Sequence, residues 1–530
     1  MMKKFAASVF LAFMLVVSFV IAPATAAVSN PNLNRVPGTW SPGATPPNLD
    51  SKLPVILFVQ GLGSNAGSWY DTNDMYQTAY NNGYQTAFIE LNDSGGTPKN
   101  MWDNGQLLAQ KIAVISQYFN KKLMIVAHSK GGVDTQAALV HYKAYPYVTN
   151  VITLSSPHRG SELADLAYSS WAGWLADLIG YKNDATYSMQ TSYMSYFRSI
   201  TDSNANSSYN KFYTFAGKGW AASPSSSYFA GGLYLSLFGN NDGVVTVNSS
   251  YVPKGTMIKV GEWDHNTIRK GSTTFSLFKP YLTATGTAST KADVQSELVT
   301  IASSKPSDAP QDITVGTASN LLVRGGAHNG TASESFLVEN DVRSLTIDWI
   351  SDQKADQVEL ISPTGKQTSI QVTSYQDEQV FKNAWHHIAV VNNPDQGAWT
   401  FQAQNAKPGG YLMAVHYDSD LDKSIRLKLN NEKTKAQIGW DKASLKGGKL
   451  NVQYQVDFTP EGNHAGGKKQ TTKIKGLESI DENSEVNLTD ENSPGVYQAS
   501  FIVKGQTEKG IPFERTLIRS IYVDEKGERH

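Results

Sequence analysis

In the first half of the chain, hydrophobic residues come in short unbroken runs separated by amphipathic stretches. In the second half they alternate with polar residues. Residues 54–59 (PVILFV) and 123–127 (LMIVA) are continuous apolar runs, the mark of strands buried on both faces of a parallel sheet. Residues 86–91, 151–154, 212–215 and 257–260 read as further strands. Between them, Leu108, Ile112, Ile115 and Phe119 share one helical face, and Val133, Ala137 and Val140 share another. Strands alternating with helices predict a mostly parallel sheet covered on both sides. Residues 27–50, rich in Pro, Asn and Gly, are expected to form an irregular lead-in.

After about residue 284 the period changes to two. Residues 344–350, 357–361, 399–403, 449–456 and 495–503 read as strands, and 363–365 and 408–410 carry turn signals. No helix and no fixed-period repeat is expected there. The organisation predicted is an α/β domain at 51–290 with a cap insertion at about 160–210, then two all-β, sandwich-like modules at 291–420 and 421–530.

Composition narrows the setting. A chain of 530 residues exceeds one core. Its net charge of −1, without a basic stripe, argues against a nucleic-acid partner. Lys3 and Lys4, the apolar stretch 5–21 and Ala24-Thr25-Ala26 form the pattern of a signal peptide, 1–26, cleaved after Ala26. An uncleaved anchor is the alternative reading, since the stretch comes near spanning length. Cleavage leaves 44 basic against 47 acidic residues, net −3, and no further segment apolar enough to cross a bilayer. The expectation is a secreted, extracellular monomer. With no cysteine it has neither disulfides nor thiol chemistry.

The strand at 123–127 runs directly into His128-Ser129-Lys130-Gly131-Gly132. Small residues two before and two after a serine, between strand and helix, describe a nucleophile elbow, which holds the hydroxyl on the rim of the sheet. A plain helix N-cap serine is the alternative. Asp242, in an Asn-Asp-Gly segment past the strand at 212–215, is the candidate acid; an ordinary turn aspartate is the alternative. His265, after the strand at 257–260, is the candidate base, and the order Ser, Asp, His fits an acyl-transfer triad. Asp264 adjoins the histidine too closely to reach its ring. His128 is expected to point away from the serine hydroxyl, and His158 to shape the pocket floor. Backbone N–H groups of Leu62, in the loop Gln60-Gly61-Leu62-Gly63-Ser64, and of Lys130 are the candidate oxyanion donors. That loop carries neither a dinucleotide nor a P-loop pattern.

Together, Val59-Gln60-Gly61-Leu62-Gly63, Ala127–Gly132, Ser156-Pro157-His158-Arg159-Gly160-Ser161, Asp242-Gly243-Val244-Val245 and Asp264-His265 resemble, in that order, secreted bacterial lipases of the α/β-hydrolase fold. Ala127 at the first elbow position is similar to Bacillus-type lipases. The resemblance spans about 50–284. It implies hydrolysis of carboxylic esters through an acyl-serine, with Ser129, Asp242 and His265 as triad. Two residues depart from the pattern: Gln60 stands where His is usual, and Lys130 where Met, Gln or Leu is usual.

Aromatic and aliphatic residues from Trp171 to Phe197 suit either a lid with an apolar inner face or a firmly packed extra layer. No cofactor is required for such chemistry. Structural calcium or zinc occurs in lipases of this type, but no metal-ligand spacing supports one here. The partner expected is a lipid or other ester substrate, met at an interface or polymer surface. The β modules show no catalytic constellation; His386-His387, Trp349 and Trp440 read as core or edge residues. Three functions follow: a secreted lipase or carboxylesterase, a polyester depolymerase with the same triad, or a surface-binding protein with a vestigial hydrolase domain.

Overall fold

A computed structural model describes residues 33–530 except 222–225, 283–319, 366–370 and short stretches between 406 and 491. The expected signal peptide and the boundary near 290 lie outside the described residues. The first half is built on a seven-stranded sheet. Its strands are β1 (Trp40–Pro42), β2 (Val55–Val59), β3 (Thr86–Ile89), β4 (Leu123–His128), β5 (Val148–Leu154), β6 (Lys211–Gly217) and β7 (Thr256–Gly261). The order is β1-β3-β2-β4-β5-β6-β7, parallel throughout except for β1. β1 lies in the expected irregular lead-in; it is only three residues long and pairs antiparallel with β3 along an edge, so it has no apolar run to reveal it.

The alternation along β2 explains why its run is unbroken. Val55, Leu57 and Val59 face one core with Leu108, Ile112 and Ile115, while Ile56 and Phe58 face the other with Trp69, Phe88, Phe275 and Phe278. Each such side chain removed from water contributes about 1.5–3 kcal/mol. The helices are α1 (Met75–Asn81), α2 (Met101–Phe119), α3 (Lys130–Val140), α4 (Glu162–Tyr168), α5 (Gly173–Leu178), α6 (Asp184–Ser188), α7 (Thr191–Asp202), α8 (Phe229–Leu235) and α9 (Gly271–Phe278). The Asn100 side chain caps α2 by accepting from the N–H groups of Trp102 and Asp103, both at 3.0 Å. Helices α4 to α7 form the insertion between β5 and β6.

The second half is antiparallel. One sheet, β12-β13-β10-β15-β8, faces a smaller one, β11-β14-β9. These strands are β8 (Leu321–His328), β9 (Thr331–Val338), β10 (Ser344–Ser351), β11 (Gln357–Ile361), β12 (Val372–Gln376), β13 (Trp385–Asn392), β14 (Gly397–Gln404) and β15 (Gly409–Asp418). Trp349 stacks between Phe401 and Tyr411 in their shared core, at 5.4 and 4.3 Å between ring centroids. The last module pairs β16 (Ile425–Leu429), β17 (Lys435–Trp440) and β21 (Glu485–Asn487). They face β18 (Leu450–Pro460), β19 (Gln470–Thr472), β20 (Leu477–Ile480), β22 (Gly495–Gln506) and β23 (Pro512–Val523).

The modules lie on the insertion. Ser520 of β23 donates to Asp165 of α4 at 2.9 Å, and Ser170 donates to Asp457 of β18 at 2.6 Å. The Tyr522 ring packs at a tilt against those of Tyr193 and Tyr196 of α7. Val323, Ile350 and Leu412 of the first module pack with Leu166, Leu175 and Tyr234. The insertion is therefore a firmly packed layer between sheet and modules. Among the described residues no helix is long and apolar enough to cross a membrane.

Candidate active site

The turn from β4 to α3 is tight enough to force Ser129 to φ 52°, ψ −137°, a conformation that costs a non-glycine residue energy and recurs where function needs it. Its N–H is held by the Leu154 carbonyl at 3.0 Å. The glycines around it are demanded by contact. A Cβ on Gly131 would strike the carbonyl oxygens of Gln60 and Val59, and one on Gly61 would sit 2.7 Å from Ser129 Cβ. The loop after β2 and the elbow therefore touch through backbone. Lys130 opens α3, where an N–H has no partner within its own helix. Gly61 to Ser64 closes a turn against it, with Ser64 N–H on the Gly61 carbonyl at 3.3 Å.

Asp242 and His265 meet. Asp242 is fully buried; its Oδ1 accepts from the N–H groups of Val244 and Val245 at 3.0 and 2.8 Å, and its Oδ2 lies 2.7 Å from His265 Nδ1. A carboxylate at Nδ1 keeps the proton there and leaves Nε2 as the basic nitrogen. His265 N–H also donates to the Asp242 carbonyl at 3.0 Å. The residue before the serine completes the link: His128 Nε2 lies 2.8 Å from the His265 carbonyl, and the two rings are 4.5 Å apart. Since a carbonyl only accepts, His128 carries its proton on Nε2. Burial, then the neighbouring His265 and Arg269, hold its pKa well below the usual histidine value.

The remaining sequence candidates fall elsewhere. Asp264 accepts from the N–H groups of Asn266 and Thr267 at 2.9 and 2.7 Å, so it caps a turn. His158 is buried edge-on to Phe212 and beside Thr153, packed into the core. Gln60 and Lys130, the two departures from the lipase pattern, are both buried.

The site is covered. Ser129 and His265 are each only 8% exposed. The turn between β12 and β13 of the first β module reaches over it: Lys382 Nζ would come within 2.6 Å of a Cβ on Gly63, and Val380 Cγ1 within 3.2 Å of one on Gly231 of α8. Asp377 folds that turn by accepting from the N–H groups of Gln379, Val380 and Phe381 at 2.7, 2.9 and 3.2 Å. His386 lies between Asp377 and Asp348, at 3.5 and 2.9 Å. Burial opposes its charge, but the two carboxylates outweigh burial and raise its pKa to about 9.

A crystal structure of a Bacillus licheniformis lipase in its propeptide form is 34% identical, with a TM-score of 0.75, and the match covers 93% of this chain and 99% of that one. This chain belongs to the family of that lipase. Its members are carboxylic ester hydrolases of the α/β-hydrolase fold with β-rich C-terminal domains. The same Bacillus lipase in mature form matches at 48% identity over 47% of this chain and 99% of that one, with a TM-score of 0.44. Residues 56–214 match the PGAP1-like alpha/beta domain. Triacylglycerol lipase 2 of Saccharomyces cerevisiae is 29% identical over 159 residues, 28% of this chain; the chain matches just under half the length (46%) of that relative.

Two features of this lipase-family site escape sequence reasoning. One is the Val380–Lys382 turn, more than two hundred and fifty residues from the serine and without a motif of its own. The other is a buried polar cluster beneath the elbow. Lys130 Nζ binds both Asp134 oxygens at 2.9 Å and lies 3.6 Å from Asp93, and Asn104 bridges Asp93 and Asp134. Lys130, where the lipase pattern has an uncharged residue, was the one available signal.

Proposed function

We propose that this chain is a secreted serine esterase acting on lipid esters, in which Ser129 attacks the ester carbonyl, His265 takes the serine proton and gives it to the leaving alcohol, then takes a proton from the water that attacks the acyl-serine and returns it to Ser129 as the acid leaves, and Asp242 steadies the imidazolium. The observation that carries it is the Asp242–His265 pair, doubly anchored and linked through His128 to the strained Ser129. Backbone N–H groups of Leu62 and Lys130 would receive the oxyanion. The lipase relatives favour acylglycerols or similar esters as substrates. Turnover of p-nitrophenyl butyrate and palmitate by the intact chain and by Ser129→Ala tests this. Loss of turnover in the variant is expected; persistent turnover refutes the assignment.

The β modules serve, in this reading, as a propeptide that restrains the enzyme until removed. Support comes from the Val380–Lys382 turn over the site and from the propeptide form of the Bacillus relative that matches nearly the whole chain. Limited proteolysis followed by mass and by ester turnover tests it: turnover should rise as the modules are lost. Unchanged turnover after their loss refutes it.

A further inference from the structure

The two residues that depart from the lipase pattern, Gln60 and Lys130, bond to the same short segment, 89–95. The Gln60 amide donates to the Ile89 carbonyl and accepts from Leu91 N–H and Ser94 Oγ, each at 2.9 Å. Lys130 Nζ reaches Asp93 at 3.6 Å. Glu90, buried in the same segment, accepts from Ala66 N–H at 3.1 Å. Asp93 is the point where these ties converge. Its Oδ1 accepts from Gly63 N–H at 3.4 Å, in the loop that carries Leu62. Its Oδ2 faces the Lys130 ammonium and accepts from Asn104, which also donates to Asp134 at 3.1 Å. Asp93, Asn104, Lys130 and Asp134 are all buried.

A buried ammonium flanked by two carboxylates is tolerated only when its partners are fixed. Burial pulls the Lys130 pKa down, but Asp134 and Asp93 outweigh it, so the net shift is upward and the ammonium stays charged. The side chain of Lys130 is thus anchored, and its backbone N–H is one of the two oxyanion donors proposed above. The carboxylate that meets this anchor also holds the N–H beside the second donor. We propose that Asp93 is a positioning residue that sets the spacing of the two halves of the oxyanion hole, joining the Leu62 loop to the elbow through Lys130.

This rests on Ser129 being the nucleophile. Oxyanion donors act only where developing charge appears, and a misplacement of about 1 Å costs on the order of a hundredfold. In the intact chain, Asp93→Ala should lower kcat about 10- to 100-fold with KM within about twofold. The inhibition constant of a trifluoromethyl ketone, whose serine adduct carries the oxyanion, should weaken by a similar factor. Asp93→Asn, nearly isosteric and still able to accept from Gly63, should lose less, and it carries the test should the alanine variant fail to fold. Asp134→Asn, which touches Lys130 and Asn104 but not Gly63, should also lose less kcat than Asp93→Ala. Ketone affinity unchanged in both Asp93 variants would overturn the proposal, as would an equal kcat loss in Asp134→Asn. A fluorophosphonate adduct mapped away from Ser129 would instead overturn the nucleophile assignment beneath it.

Discussion

His386 offers a charge test of the turn that covers the site. Its ring is fully buried between Asp348 and Asp377, and its pKa stands at about 9 against 6.5 in an unfolded chain. A raised pKa means the folded state holds the proton more tightly. The resulting stabilisation is complete below pH 6.5 and disappears as pH climbs through 9. At 1.36 kcal/mol per pKa unit, it is worth about 3 kcal/mol. Urea unfolding of the intact chain, followed by the fluorescence of the module tryptophans, should therefore lose about 3 kcal/mol between pH 6 and pH 9.5. His386→Gln should lack that pH-dependent difference and be the less stable protein at pH 6. Because Asp377 folds the Gln379–Phe381 turn, ester turnover of the intact chain should also keep rising above pH 8. A wild-type pH dependence indistinguishable from that of His386→Gln would refute the reasoning.

Asp242→Asn removes the carboxylate that orients His265 and should lower kcat by about three to four orders of magnitude, with an unchanged circular dichroism spectrum. Lys130→Met strands two buried carboxylates and should cost about 3–5 kcal/mol in urea unfolding; adding Asp134→Asn should recover part of that loss. Gly131→Ala drives a methyl into the Gln60 and Val59 carbonyls and should lower Tm by several degrees and abolish activity, because those atoms are backbone and have little room to yield.

Much of the catalytic half was readable because its signals are local. An unbroken run such as Val55–Val59 is what a strand between two helical layers must look like. The elbow glycines were readable for the same reason, since close backbone approach permits little else. The pairing of Asp242 with His265 was anticipated from chain order, and the structure brings the two side chains together. His158, expected to shape the pocket floor, stands instead in the core, edge-on to Phe212 and beside Thr153 of the interior strand β5. The Asp93 cluster was hard to read because its members lie in three segments, only Lys130 and Asp134 sharing a helix, and each alone looks like a loop or helix-surface residue. The cover over the site was invisible. Val380 and Lys382 act through where the first module docks, and that docking rests on scattered apolar contacts, such as those of Val323, Ile350 and Leu412 with Leu166, Leu175 and Tyr234.

The most direct test of the central claim is covalent. The intact chain, treated to completion with a fluorophosphonate and digested, should yield one modified peptide, carrying the adduct on Ser129, with ester turnover falling in proportion to labelling. An adduct on another serine, or full turnover in a chain labelled at Ser129, would contradict the account.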